Sequence, residues 1–411
     1  FSERGEFGEP LSWRACAAGS ATAFVLQKSE LDEDGSRAAR AFLRHLRGGS
    51  LLGGLLALGL LLRPVLQSRH PRGTPEELTQ VKALIDQFGE DPMDSFALLP
   101  DKRFFFSPDG KGVVAYALWR HFAVALADPI CDPEIRHELV HAFARFCRRQ
   151  DWVPIFYCLQ VKHRSLYDEQ GFVTFKVGED ARLLMDEFSL QGGRFQNLRT
   201  AGNRARKENM SFSWYDANPA PDHGIEAQLK VISESWLREK HGGEMTFDLG
   251  RFNLDDLRIN GVGIVRNEEG RVEAFATWRS YAKGRGRTLD LMRGTPEARN
   301  GGLMDFLILE SIEHFRQQDG CVEISLGNAP LADVRNETDG EPSRQERATR
   351  FLFENFDQYY GYKSLFSFKS KYHPDWQGRY LAYPPGVPLP MIGLAIAGVH
   401  LPSGFRALVK S

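Results

Sequence analysis

From Thr74 onward the sequence runs twice through one order of short helices and strands, and this duplication constrains the fold more than any other feature. The first series opens with "TPEELTQVKALIDQFG". Thr74 is placed to cap, Pro75 stands at the first helical position, acids follow, and Leu78, Val81, Leu84, Ile85 and Phe88 recur at helical spacing. Strand-like runs "RFFFS", "GVVAYALW" and "FAVALAD" come next, the first two joined by the hairpin turn "SPDGKG". A helix from Asp132 to Gln150, a buried strand "VPIFYCL", a short helix and the strand "VTFKVG" complete the series.

The second series begins after Phe188. It has helices at about Arg194 to Asn209 and Ile225 to Lys240, then strands "GVGIVRN", "RVEAFATWRSY" and "RTLDLMR". A helix after Gly302, a strand "CVEISLG", a helix near Glu346 to Phe356 and a strand-like "YKSLFSFKSKY" follow. The aromatic closes "LYDEQGFVTFK" and "YYGYKSLFSFK" fall at matching places. The expected architecture is α/β, with units at residues 76–188 and 189–385, the second carrying the site.

Residues 1–75 read as the end of a membrane region and a linker. "GGSLLGGLLALGLLLRPVLQ", Gly48 to Gln67, reaches the ~30 Å of a bilayer core only if Arg63 snorkels. Arginines flank it on both sides, so the charge rule for orientation is ambiguous. Residues 386–411 form an apolar tail, broken by Pro402 and Gly404, that suits either a membrane surface or the protein itself.

The net charge of -2 excludes a globally basic nucleic-acid binder, so contacts to RNA or anionic lipid must come from local patches. The five cysteines are scattered, with no histidine at ligand spacing. They read as reduced thiols, and no metal is expected.

Several segments concentrate chemistry. "GGRFQNLRTAGNRARKENM" sets Arg199, Asn203 and Arg206 on one helix face, with Arg204 and Lys207 nearby, where they suit a phosphate backbone. Its bland reading is a solvated helix face. "SWLREKHGGEMTFDLGRF" is a loop rich in glycine, charge and aromatics in which Glu244 stands out, while His241 reads as merely solvated. "LDLMRGTPEARNGGLMDF" brings Asp290, Arg293, Asn300 and Asp305 to a strand end, a glycine turn and a helix start. "SLGNAPL", containing Asn328, leaves a buried strand through a turn. In "FSFKSKYHPDWQGRYLAYPP", Lys369 and Lys371 would share one face of a strand, with Arg379 after them. Its bland reading is an edge strand protected by lysines.

The element order resembles tandem acetyltransferase-like (GNAT) units, in which backbone N–H groups and a helix N-terminus grip a pyrophosphate. The glycine pattern usual there is absent from Arg293 to Asp305. Taken together and in order, "FSLQGGRFQNLRTAGNRARKE", "WLREKHGGEMTFDLGRF", "DLMR", "NGGLMDFLILE", "SLGNAPL" and "FKSKYHPDWQGRYLAYP" resemble the C-terminal catalytic domain of bacterial aminoacyl-phosphatidylglycerol synthases, the multiple peptide resistance factors. The resemblance covers about Pro75 to Pro384. It departs at Asn328, where relatives commonly carry methionine, and in a less basic helix around Arg199.

The resemblance implies transfer of an aminoacyl group, lysyl first and alanyl as the alternative, from charged tRNA to a hydroxyl of phosphatidylglycerol, without a cofactor. It implies an inner-membrane protein whose catalytic domain faces the cytoplasm. Glu244, Asp290 and Asp305 would hold the cationic aminoacyl group, with Asn300 and Asn328 beside them. Arg293, Lys369, Lys371 and Arg379 would handle phosphate or oxyanion charge, with catalysis assigned to Lys369, Lys371 and Arg379. Arg199, Arg204, Arg206 and Lys207 would meet the tRNA acceptor stem. Two rival classes are an acyl-CoA-dependent N-acyltransferase, which coenzyme A would protect thermally, and a non-catalytic lipid or RNA binder. The second would be indifferent to Asp290→Ala and Lys369→Ala.

Overall fold

Two strand–helix–strand crossovers with parallel strands, one in each series, anchor the sheet. In the first, β3 (Phe122–Leu126) leads through α2 (Arg136–Arg149) to β5 (Val153–Gln160). In the second, β10 (Gly286–Gly294) leads through α7 (Leu303–Arg316) to β11 (Glu323–Pro330). The computed structural model describes residues 73–239, 244–296, 302–318, 320–330 and 362–401. Both helices owe their places to apolar spacing: Leu139, Val140, Phe143 and Cys147 of α2, and Phe306, Leu307, Ile308, Ile312 and Phe315 of α7, are buried.

The remaining strands are β1 (Arg103–Phe106), β2 (Gly112–Trp119), β4 (Ile130–Cys131), β6 (Val173–Leu184), β7 (Ser211–Tyr215), β8 (Val262–Arg266), β9 (Val272–Tyr281) and β12 (Asp375–Tyr383). They form one sheet in the order β1-β2-β3-β5-β12-β6-β11-β10-β9-β8-β7, with β4 on β2. The centre is an exchange. β12, from the end of the second series, lies between β5 and β6, while β6, from the end of the first, lies between β12 and β11. Each series therefore borrows a strand from the other to complete its sheet.

α1 (Pro75–Phe88) starts where its sequence says: Glu77 N–H donates to the Thr74 hydroxyl at 3.2 Å, and Thr74 N–H donates to the Glu77 carboxylate at 2.8 Å. α3 (Arg164–Glu169), α4 (Gln196–Lys207), α5 (His223–Arg238) and α6 (Leu254–Asn260) follow. The segment expected as a strand, "YKSLFSFKSKY", is instead helix α8 (Tyr362–Ser370) followed by a turn. Its apolar residues fit both periods, and packing against β11 selects the helix: Leu365, Phe368 and Tyr372 fall at i, i+3, i+7. Lys369 and Lys371 consequently do not share a strand face.

The described part of the apolar tail is α9 (Leu389–His400), and it docks on the protein. Ile392, Ala395, Ile396 and Val399 join a core cluster with Phe122, Val124, Ile155 and Leu381. Gly398 allows this approach, since a Cβ there would lie 2.1 Å from the Trp119 ring. Among the described residues no helix is long and apolar enough to cross a membrane. The expected span at 48–67 and the expected helix near Glu346 to Phe356 lie outside them.

A buried ionic seam crosses the exchanged strands. Arg379 on β12 makes a two-pronged contact with Asp91 at 2.7 and 3.0 Å and reaches Asp180 of β6 at 3.3 Å. Nearby, burial and the neighbouring Asp91 raise the Asp94 carboxyl, although its carboxylate accepts the N–H groups of Glu90 and Asp91. A carboxyl whose folded pKa is raised makes the fold most stable below the unfolded value near ~4, and stability falls as pH climbs toward the folded value. Asp94→Asn keeps an accepting oxygen and removes this penalty, so its gain in urea midpoint over the parent should be larger at pH 8 than at pH 5. Equal gains at both would contradict burial beside Asp91 as the cause of the raised carboxyl.

Candidate functional site

β10 and β11 pair only over Gly286–Thr288 and Glu323–Ser325. Beyond that they part. β10 shifts register against β9 between Leu289 and Met292, and β11 shifts against β6 between Ser325 and Asn328. The wedge between them holds a cavity of about 510 Å³, lined by Thr288 to Arg293 of β10 and Leu326 to Asn328 of β11. α8 closes one side with Leu365, Phe368 and Lys369, and the loop after α5 contributes Glu244, Asp248 and Gly250. Met93, Phe96 and Tyr157 enter from the first series and His400 from α9.

Lys369 is buried in this wall. Its Nζ donates to the backbone oxygen of Asn328 at 2.7 Å. Burial pushes its pKa down to about 7, a shift that the Asp180 and Asp248 carboxylates only partly oppose. Near neutral pH a substantial fraction is therefore the free amine, a proton acceptor rather than a fixed cation.

The acids divide by what their oxygens already do. Both oxygens of Asp290 are engaged: Oδ1 accepts the Gly250 N–H at 2.6 Å and Oδ2 accepts Arg279 Nε at 2.8 Å, with the side chain 2% exposed. Gly250 is required here, because a Cβ would lie 2.1 Å from that carboxylate. Asp290 thus tethers the loop to β10 instead of offering itself to a guest. Glu244 Oε1 accepts the Phe252 N–H at 3.0 Å and pairs with Arg293, while Oε2 has no partner among the described residues. Arg293 is fully buried, bonded to Ser233 and Glu244 and stacked over Trp236 at 4.8 Å, so its guanidinium serves the wall.

Lys371, Asp305 and Arg379, also expected at the site, are not among the residues lining the cavity. Lys371 holds both oxygens of Asp305 at 2.7 Å, and the Tyr372 hydroxyl donates to Asp305 at 3.2 Å, which ties the end of α8 to the first turn of α7. Arg379 is committed to the seam. Asn328 lines the cavity with Nδ2 near Met93 Sδ at 3.2 Å. Asn300 and His241 lie outside the described residues.

On α4, Arg199 donates to the backbone oxygen of Gly192 at 2.7 Å and so braces the preceding turn. Arg204 pairs with Glu208 at 2.8 Å and Arg206 with Glu310 at 2.5 Å, both on the exposed surface with Lys207. Such exposed pairs contribute little to stability. Among the described residues no group of His, Cys, Asp and Glu is placed to hold a metal.

The wall also holds residues that the sequence did not single out, among them Asp248, four residues after Glu244 and overshadowed by it, and His400, at the end of the apolar tail. The polar ending of an otherwise apolar helix was the available signal for His400.

The family profile described as the C-terminal part of phosphatidylglycerol lysyltransferase matches residues 82–383. A phosphatidylglycerol lysyltransferase of Bacillus subtilis is 31% identical over 76% of this chain and 36% of its own length. One from Staphylococcus aureus (strain MRSA252) is 30% identical over 74% of this chain and 36% of its own. The chain thus spans little more than a third of these curated relatives. The solved structure of L-PGS from Bacillus licheniformis superposes with a TM-score of 0.67 at 27% identity, covering 80% of this chain and 98% of that one. The C-terminal domain of a putative lysylphosphatidylglycerol synthetase from Agrobacterium fabrum also gives 0.67, at 28% identity, over 79% and 95%. With a profile match across most of its length and a shared fold, the chain belongs to the phosphatidylglycerol lysyltransferase C-terminal family.

Proposed function

We propose that this chain, as part of a longer membrane-associated protein, moves an aminoacyl group, lysyl first, from charged tRNA to a glycerol hydroxyl of phosphatidylglycerol. The product is a cationic lipid that lowers the negative charge of the membrane surface. The observation that carries the reading is the wedge cavity, where the near-neutral Lys369 amine faces a space walled by carboxylates with open oxygens.

The chemistry is an ester exchange. The lipid hydroxyl attacks the aminoacyl carbonyl carbon, its proton passes to the Lys369 amine, and the bond to the tRNA 3′ oxygen breaks as that oxygen takes the proton back. Donor and product are both esters, so the exchange is near balance and orientation supplies much of the rate. The open Glu244 Oε2 suits the ε-ammonium of a lysyl donor. Arg204, Arg206 and Lys207 on the exposed face of α4 suit the acceptor stem, and Arg199 supports them by bracing the turn.

The catalytic domain is taken to face the cytoplasm, where charged tRNA is found. The test is the full protein with phosphatidylglycerol vesicles and lysyl- or alanyl-tRNA side by side. Lysyl lipid should form faster than alanyl lipid. Absence of lipid product from any aminoacyl-tRNA refutes the reading.

A further inference from the structure

Asp248 and His400 have no part in the ester exchange itself, and His400 lies beyond residue 383, where the family match ends. Yet both line the cavity. His400 Nδ1 lies 2.7 Å from the backbone oxygen of Ile396. A carbonyl only accepts, so Nδ1 carries a hydrogen. His400 Nε2 lies 2.9 Å from Asp248 Oδ1, and two lone pairs do not face each other at that distance, so a proton sits between them. Burial alone would lower the affinity of His400 for a proton, but Asp248 raises it, which favours imidazolium against carboxylate.

Oδ1 is therefore engaged. Oδ2 accepts from no group among the described residues, and the side chain keeps 9% exposure at the cavity wall. The backbone beneath it is held firmly. Phe247 adopts φ +80°, a strained conformation for a side chain of that size, while Lys102 Nζ donates to its backbone oxygen at 2.7 Å. The Thr246 N–H donates to His400 O at 3.0 Å, and the rings of Phe247 and Tyr157 abut the imidazole at 5.2 and 5.4 Å. The tail helix thus fixes a cavity-lining carboxylate by one oxygen and leaves the other without a partner among the described residues.

Among the acids expected to hold a cationic guest, Asp290 has both oxygens engaged by Gly250 and Arg279, and Asp305 is tied to Lys371. Glu244 sits beside Arg293, whose guanidinium stacks over Trp236. Asp248 and Lys369 line the same cavity. A group bound on Asp248 Oδ2 would therefore share the cavity with a carbonyl held at Lys369, and in an aminoacyl ester the ammonium one carbon from that carbonyl is the α-ammonium. We propose that Asp248, with His400 as its positioning residue, binds the α-ammonium of the aminoacyl donor. This rests on the aminoacyl-transfer function proposed for the same cavity.

The test measures equilibrium binding to the full protein of two amide-linked 3′-aminoadenosine probes, one carrying lysyl and one carrying 6-aminohexanoyl, which differs only in lacking the α-amino group. The parent should prefer the lysyl probe on the order of tenfold, the scale of a charge-assisted hydrogen bond. Asp248→Asn should bring that preference close to unity. Glu244→Gln should weaken both probes and keep it. His400→Phe should lower the preference and His400→Gln, which can still donate to Asp248, should restore part of it, a pattern that mere loss of folding does not produce. A full preference in Asp248→Asn, or no preference in the parent, overturns the proposal and leaves aminoacyl transfer standing. A parent that binds neither probe overturns both.

Discussion

Lys369→Met should lower the turnover of lysyl transfer by roughly 10²–10⁴-fold, the range a positioned proton acceptor contributes, while leaving the affinity for charged tRNA little changed. Methionine fills the same buried volume without a titrating group, so folding is expected to survive. Lys369→Arg separates the two roles a cation in this wall could play. An arginine keeps the charge and cannot give up its proton at neutral pH, so it would preserve oxyanion stabilisation and abolish proton acceptance. Loss in both variants supports the base.

In the parent, the amine form exists above the depressed pKa of about 7, so turnover should rise with pH through that value and level off above it. A flat profile between pH 6 and 9, with arginine fully active, would return Lys369 to the electrostatic role that its sequence context suggested.

Arg379→Met is expected to cost about 3–5 kcal/mol, because it takes the two-pronged partner from buried Asp91 and one of two cations from buried Asp180 at the centre of the exchanged strands. Asp91 and Asp180 are 2% and 1% exposed, and their geometry with Arg379 is close and partly bidentate. Against the ~5–15 kcal/mol of a typical domain, this is a loss that leaves the sheet marginal. Burial alone would raise the Asp180 carboxyl, but Arg182 and Arg379 hold it down to about 2. A depressed carboxyl stabilises the fold above its unfolded value near ~4, and the contribution disappears as pH falls toward 2. The denaturation midpoint of the parent should therefore drop steeply across that window. A cost below ~1 kcal/mol for Arg379→Met would show that the seam is solvated rather than sealed.

The two outcomes sort Lys369 from Arg379, which the sequence places in one basic run and assigns together to catalysis. Alternation with aromatics suggested a strand with its lysines on one face. The same letters at i, i+3, i+7 make helix α8, which sends Lys369 into the cavity and leaves Lys371 at the helix end on Asp305. Local period could not separate these because the deciding contact, α8 on β11, is between segments distant in sequence.

The capping box of α1, the hairpin before β2 and the two crossover helices were legible, since each depends on residues a few positions apart. The exchange of β6 and β12 was not, because strand pairing across some two hundred residues leaves no local mark. The signs of charge at the site were legible too, and their partners were not. Asp290 lines the cavity, but its partners, Gly250 on a loop forty residues away and Arg279 on the neighbouring strand, are set by the fold, and the role proposed for it passes to Asp248.

The wedge between β10 and β11 is central to all of these expectations, as the place where the aminoacyl ester reacts. An experimental structure of the protein bound to amide-linked lysyl-adenosine, which cannot transfer its acyl group, tests this most directly. The amide carbonyl is predicted within hydrogen-bond reach of Lys369 Nζ, with the lysyl chain inside the cavity and the adenosine leading out of it. Density for the lysyl group anywhere outside the wedge, with the cavity unchanged, would contradict that placement and the mechanism built on it.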